Sequence, residues 1–291
     1  MAKILITGSR GQVGSHLVEQ LTGKAEILAV DREELDITDR SAVFETVKTF
    51  QPDVIINAAA HTAVDRAESE IELSQAINVN GPKYLAEAAN AVNAAILHIS
   101  TDYVFDGQGS GEYLETDPTD PQGVYGKTKL EGEIAVQQYC EKSIILRTAW
   151  VFGEHGNNFV KTMLRLAKER DTIGIVGDQI GGPTYAGDIA ATVITIANKI
   201  IHDEQVEFGV YHYTGKPYVS WFEFAQAIFA EAEQQGTLVK KPALNSITTA
   251  DYPTPAKRPA NSRLNLDKIN RTFGIKPSDW QKALKNIKAY G

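Results

Sequence analysis

Cysteine is almost absent from this chain. Cys140 is the only one in 291 residues, so no internal disulfide can form and no thiolate cluster is available to a metal. Long apolar runs are missing as well. No stretch approaches the ~18 consecutive apolar residues of a membrane-spanning helix, and the N-terminus lacks the basic segment and apolar run of a signal peptide. We therefore expect a cytoplasmic protein with no membrane partner. Basic charge is also in short supply: 29 Lys and Arg face 37 Asp and Glu, for a net charge of −8. A surface of that sign repels phosphate backbones, which excludes a general nucleic-acid binder. The deficit is uneven, because residues 242–291 carry nine basic and only three acidic side chains. An anionic small ligand remains compatible with that tail.

What the chain does have is core material. Its residues are 43% hydrophobic and 23% charged, the balance of a soluble globular protein, and the length suits about two domains or one α/β unit with an added lobe. Short β-branched runs at 3–7, 26–30, 53–57, 95–100, 143–148 and 172–176 alternate with helical stretches at 12–21, 41–50, 82–93 and 125–139. Strands that are continuously apolar suit a parallel sheet covered on both faces. The pattern predicts a Rossmann-type, doubly wound α/β fold with a smaller C-terminal substrate-binding lobe. We divide it as residues 1–153 for the doubly wound domain and 154–291 mainly for the second lobe, interwoven, with segments such as 172–200 returning to the first. Helices are expected at 157–169, 185–200, 220–235 with Ser220 as cap, and 279–289 after a cap at Ser278. Pro242, Pro253, Pro255 and Pro259 make 242–259 largely irregular or extended.

Gly8, Gly11 and Gly14, with Gln12 and Val13 between them, follow the first strand and open the first helix. Glycines there allow a tight turn and let a diphosphate approach backbone N–H groups at the positive end of the helix. The GxxGxxG spacing is that of the short-chain dehydrogenase/reductase superfamily, particularly its extended branch. Asp31 ends the second strand, where an acid can bind the adenine ribose, while the adjacent Arg32 can pair with a 2′-phosphate. Both NADH and NADPH therefore stay open. Asp36 and Ile37 are counted with the cofactor-binding residues, as are Ala60, His61 and Thr62, where small residues at a strand's carboxyl end leave room for a cofactor. His61 reads as a hydrogen-bonded wall residue more readily than as a general base. Asp65, Arg66 and Glu68 read as a solvated helix start.

The strongest signal is Tyr125-Gly126-Lys127-Thr128-Lys129. Tyr125 and Lys129 stand four residues apart, on one helix face, where an ammonium would bring a phenol toward the working pH range. Thr101, at the end of the preceding strand, can reach the same place. Together they form the Ser/Thr-Tyr-Lys constellation of short-chain dehydrogenases. Cys140, near the end of that helix, reads as a packed thiol.

Four segments carry a closer resemblance: STDYVFDG from Ser100, YGKTKLEGE from Tyr125, RTAWVFG from Arg147 and PTPAKRPANSRL from Pro253. With them the chain resembles the dTDP-4-dehydrorhamnose reductase family of sugar-nucleotide enzymes. The resemblance implies reduction of the C4 ketone of dTDP-4-dehydro-β-L-rhamnose by NADPH or NADH, with Tyr125 as proton donor and Lys129 lowering its pKa and holding the nicotinamide ribose. Thr101 would hydrogen-bond the ketone. It further implies substrate contacts at Asp102, Trp150, Arg258, Asn261 and Arg263, with Trp150 equally readable as core. Thr101-Asp102 is followed by Tyr103 rather than by the acid of a 4,6-dehydratase, which disfavours dehydration. Magnesium has been associated with parts of the family at a subunit contact, but we find no acidic cluster for it and His16 stands where a carboxylate would serve better. No metal is expected, and a homodimer is left open. Two alternatives stand beside this reading: a cofactor-binding regulatory subunit like that of methionine adenosyltransferase, or a reductase of another nucleotide 4-keto sugar.

Overall fold

The computed structural model describes residues 1–202 and 205–291. Six parallel strands form its main sheet: β1 (Lys3–Thr7), β2 (Glu26–Val30), β3 (Val54–Asn57), β4 (Ala95–Thr101), β5 (Ser143–Thr148) and β6 (Gly209–His212). Their spatial order is β2-β1-β3-β4-β5-β6. Seven longer helices accompany them: α1 (Gln12–Leu21), α2 (Arg40–Phe50), α3 (Gly81–Ala91), α4 (Val124–Tyr139), α5 (Phe159–Glu169), α6 (Ala186–Ile201) and α7 (Trp221–Gln234). Successive strand residues point to opposite faces, and both faces are covered. Ile4, Ile6, Ile144 and Leu146 pack with Leu17 of α1 and Ile189, Val193 and Ile196 of α6. Leu5, Ile55 and Ile145 pack on the other side with Val43 and Val47 of α2, Leu85 of α3 and Val136 of α4. That two-sided burial explains why these strands read as unbroken apolar runs. Cys140 is a buried free thiol in the second layer.

Two expectations need correction. Thr172–Val176 is a strand, but it pairs in parallel with Ala243–Ile247 outside the main sheet. Only Ile173 and Ile175 are buried in it, the alternation of a sheet covered on one face. The sixth main strand is instead β6, whose Gly209 and His212 break the apolar pattern that marks the others. From the 172–200 stretch, α6 packs on the main sheet and the strand does not.

A separate core builds the second lobe. Phe152, Val160, Met163, Ile173, Ile175, Phe224, Phe229 and Trp280 enclose it between α5 and α7. Ser220 caps α7 through a reciprocal capping box with Glu223, which satisfies two otherwise unpaired donors. The last helix is shorter than expected and begins one residue later. Asp279 caps Trp280–Leu284 through the Lys282 amide, while the Ser278 hydroxyl donates to Asp188 at 2.6 Å. The proline-containing stretch holds the Ala243–Ile247 strand and a short 3-10 turn at Thr249–Asp251.

Candidate active site

The strand order reverses at β1, which lies between β2 and β3. In such sheets a crevice opens outside the carboxyl ends of the strands at this switch point. The glycine loop fills one side of it. Gly8 has φ +68°, and a Cβ there would lie 2.6 Å from the Ala59 amide nitrogen. A Cβ on Gly14 would stand 2.0 Å from the Gly8 carbonyl oxygen, so helix and loop approach more closely than any side chain allows. Gly11 caps α1 with no side-chain hydrogen bond, and the first-turn N–H groups are shaped to receive an anion. Gln12 is linked to Asn158 at 3.1 Å, and Val13 is buried in the core.

Asp31 sits beside this loop, accepting from the Arg10 amide at 3.1 Å and the Arg32 amide at 2.8 Å. The Arg10 guanidinium pairs with Glu33 and Glu34. Asp36 is turned into a local bend, where the Thr38 amide and hydroxyl donate to it and hold its carboxyl below the ordinary value. Ile37 is buried beside Gly81. Past β3, Ala60 is half-buried and Thr62 exposed. His61 contacts Ser74 through Nδ1 at 2.9 Å and Glu70 through Nε2 at 3.1 Å. Both ring nitrogens are engaged, so neither is free to act as a base.

At the end of β4 the chain turns through Asp102–Val104. The Thr101 hydroxyl donates to Asp102 at 3.1 Å and lies near enough to the Tyr125 phenol to favour its ionisation. The Tyr103 ring meets Tyr125 edge to face, with centroids 5.4 Å apart. Asp102 is buried, and the loss of solvent pushes its carboxyl up to about 6 against weaker stabilisation from Ser262 and Thr101; its Oδ2 makes no hydrogen bond. The start of α4 is held by a residue that sequence spacing did not single out: Glu68 accepts from the Val124 amide at 2.9 Å. It therefore serves the helix that carries Tyr125, and is not a solvated charge.

Lys129 is 2% exposed. Its amine donates to the Ile99 carbonyl at 2.7 Å and approaches His98 Nε2 at 3.5 Å. Behind His98 lies a buried chain. Thr7 donates to Asn57 Oδ1 at 2.7 Å, and Asn57 Nδ2 meets His98 Nδ1 at 2.9 Å. By this network Nδ1 is an acceptor, so the neutral ring carries its proton on Nε2, facing Lys129. It offers the ammonium no acceptor. Burial accordingly lowers the Lys129 pKa to about 8, with Glu133 opposing the fall. Burial also raises the Tyr125 phenol above its ordinary value, and the favourable contribution comes from Thr101. The structure thus corrects the expected direction of the Tyr125 shift.

The C-terminal residues come to the same side of the molecule, each already engaged. Arg258 pairs with Asp65 at 2.6 Å and neighbours Tyr103, which makes Asp65 an anchor for the tail. Asn261 donates to the Gly111 carbonyl at 2.8 Å, and Arg263 donates to Asn261 at 2.8 Å and to the Ser110 carbonyl at 2.7 Å. Trp150 follows β5 with φ +52°, rare for a bulky residue. Its ring stacks on Trp221 at 3.5 Å, and its edge closes against Gly181, so one face is committed to the aromatic packing of the second lobe.

A tight glycine loop at the switch point, with Thr101 near Tyr125 and Lys129 one turn further along α4, its amine on the Ile99 carbonyl, is the framework of an extended short-chain dehydrogenase/reductase. Comparison with known proteins narrows this. The family model described as RmlD substrate binding domain matches residues 2–290. The dTDP-4-dehydrorhamnose reductase of Aggregatibacter actinomycetemcomitans is 61% identical, with 100% of this chain and 99% of that protein covered. The protein of the same name from Escherichia coli K12 is 44% identical, covering 98% and 96%. The structure superposes with a TM-score of 0.90 on the dTDP-4-dehydrorhamnose reductase of Bacillus anthracis in complex with NADP, at 37% identity and with 100% of both chains covered. The chain belongs to the dTDP-4-dehydrorhamnose reductase family.

Proposed function

We propose that this protein reduces the C4 ketone of dTDP-4-dehydro-β-L-rhamnose to the alcohol of dTDP-β-L-rhamnose, using a reduced nicotinamide cofactor, as a cytoplasmic enzyme. The full-length match to the family model, with Thr101 near Tyr125 and Lys129 on the same helix, supports this reading. The residues present fit such a cofactor: a cradle that any Cβ would fill, and an uncapped helix start for the diphosphate. When bound, reduced nicotinamide supplies a hydride to the substrate carbon. Thr101 hydrogen-bonds the ketone oxygen, and Tyr125 gives that oxygen its proton. A phenol held protonated by burial is in the state that a donor to a developing alkoxide requires. Lys129, when charged, steadies the phenolate left behind and holds the nicotinamide ribose. Either NADH or NADPH is compatible with the adenosine end. Asp31 suits free ribose hydroxyls, and Arg32 supplies charge for a 2′-phosphate.

The direct test supplies the dTDP-4-keto sugar, generated in place with a 3,5-epimerase, and follows loss of reduced-nicotinamide absorbance. No substrate-dependent oxidation with either cofactor would sink the proposal. The regulatory-subunit reading predicts cofactor binding without turnover, and no chemical need for all three of Thr101, Tyr125 and Lys129.

The charge state of Lys129 gives a pH prediction. Because kcat/KM reports groups of the free enzyme and the ammonium is the form that supports Tyr125, kcat/KM should fall as pH rises through about 8. Lys129→Arg, which cannot lose its charge in this range, should remove that limb whatever its absolute rate. An unchanged limb would assign it to another group.

Arg258 gives a second. Its guanidinium borders Tyr103, which in turn packs on Tyr125, and it can fork onto a diphosphate while shared with Asp65. Arg258→Met should raise KM for the sugar nucleotide by at least several-fold and leave KM for NADPH nearly unchanged. Equal effects on both would limit Arg258 to tying down the tail.

A further inference from the structure

Outside the reductase site, α1 and the loop after Val151–Phe152 bring three donors together. His16, Glu19 and His155 each present a ligand atom within 4.8 Å of the others, the one group of this kind among the described residues. We propose that they form a binding site for a borderline divalent transition-metal ion such as zinc.

The separations are near those of a coordination sphere, with Glu19 offering one oxygen to each histidine. Zinc binds imidazole nitrogen and carboxylate oxygen at about 2.0–2.1 Å in a tetrahedron, so neighbouring ligand atoms stand about 3.4 Å apart. Here His16 Nδ1 lies 3.4 Å from Glu19 Oε2, and His155 Nε2 lies 2.9 Å from Glu19 Oε1. The two imidazoles meet edge to face, centroids 5.1 Å apart.

The outer shell carries the argument further. His16 is buried, and its Nε2 lies 3.0 Å from Glu154 Oε2. Glu154 is fixed in turn by the Tyr185 hydroxyl, at 2.8 and 3.1 Å, and by Asn286. Since a neutral imidazole has one proton, donation from Nε2 to Glu154 leaves the Nδ1 lone pair aimed at a carboxylate oxygen. Two acceptors then face each other, and either a second ring proton or a metal ion sits between them. A histidine whose far nitrogen donates to a carboxylate is the usual arrangement behind a metal. Glu19 is exposed and His155 partly so, leaving an entry path and a position for water.

Donor chemistry decides which ion. Two imidazoles and one carboxylate suit zinc, nickel or copper, whereas magnesium prefers an all-oxygen shell and keeps its waters. The magnesium implied by the family resemblance therefore does not fit this cluster.

The test is zinc titration of the chelator-stripped full-length protein against a chromogenic chelator, with magnesium in large excess. One zinc per chain is expected, undisturbed by magnesium. Glu19→Gln and His155→Ala should each weaken it at least tenfold, and Glu154→Gln by about 10–100-fold through the outer shell. NADP binding by each variant checks that it is folded. No zinc uptake by the parent protein would overturn the proposal and leave a proton as the bridging cation. Uptake undiminished in folded Glu19→Gln and His155→Ala would overturn it equally, by placing the ion elsewhere.

Discussion

Tyr125→Phe is expected to lower kcat by about 10²–10⁴-fold, the range supplied by a positioned proton donor, while the Kd for NADPH changes little. Steady-state turnover with the 4-keto sugar and a fluorescence titration with NADPH measure the two quantities. The phenylalanine ring keeps the edge-on packing against Tyr103 and loses only the hydroxyl on the Thr101 side. The competing donor is Asp102, which is buried next to Thr101 and held up to about 6, so that part of it is protonated in mildly acidic solution. If Asp102 supplied the proton, Tyr125→Phe would retain most of the rate at pH 6 and Asp102→Asn would abolish it. If Tyr125 supplies it, the loss in Tyr125→Phe persists at pH 6. Asp102→Asn should then leave turnover largely in place, because removing the anion beside Tyr125 eases the burial strain on its ionisation.

Parts of this site were open to sequence reasoning because they depend on local rules. Strands buried on both faces run apolar through their middles, which is why 3–7 and 143–148 match β1 and β5 in the structure, while the edge strand at 26–30 was found from its β-branched and aliphatic run alone. A glycine triplet between strand and helix has few other uses, and a four-residue spacing on a helix fixes a shared face. What stayed hidden depends on contacts between distant segments. Glu68 reaches across 56 residues of sequence to cap α4. Asn57 and His98, from neighbouring strands, stand behind Lys129 as a buried polar chain that no spacing announces. The β6 strand is short and ends in a buried histidine, so periodicity had little to grip. In the tail, the charge of Arg258 was visible but its partner Asp65, 193 residues away, was not. His16 looked like a lost carboxylate on α1. Only the loop holding Glu154 and His155 gives it a chemistry of its own.

One long-range pair has a large expected effect on the fold itself. Arg147 of β5 and Glu133 of α4 meet through Nη2–Oε2 at 2.7 Å and Nε–Oε1 at 3.0 Å, with side chains only 5% and 2% exposed. Arg147 also lies over the Phe105 ring at 5.0 Å. Attraction in such a place works against the cost of removing both charges from water, so the pair as a whole adds little net stability. Cutting it is another matter. Glu133→Ala strands a guanidinium that already has an unpaired Nη1, and should cost about 3–5 kcal/mol, read as a lower denaturant midpoint at unchanged slope. Replacing both partners, as Glu133→Leu with Arg147→Met, should recover most of that loss, since no buried charge is left alone. A double variant no more stable than Glu133→Ala would show that the loss came from packing and not from the stranded charge. The pair also reaches the chemistry. Glu133 stands one helical turn beyond Lys129 and opposes the fall in its pKa. The double variant should therefore fold well and yet lose its alkaline limb of kcat/KM at a lower pH than the parent, which separates the charge's service to the site from its service to the fold.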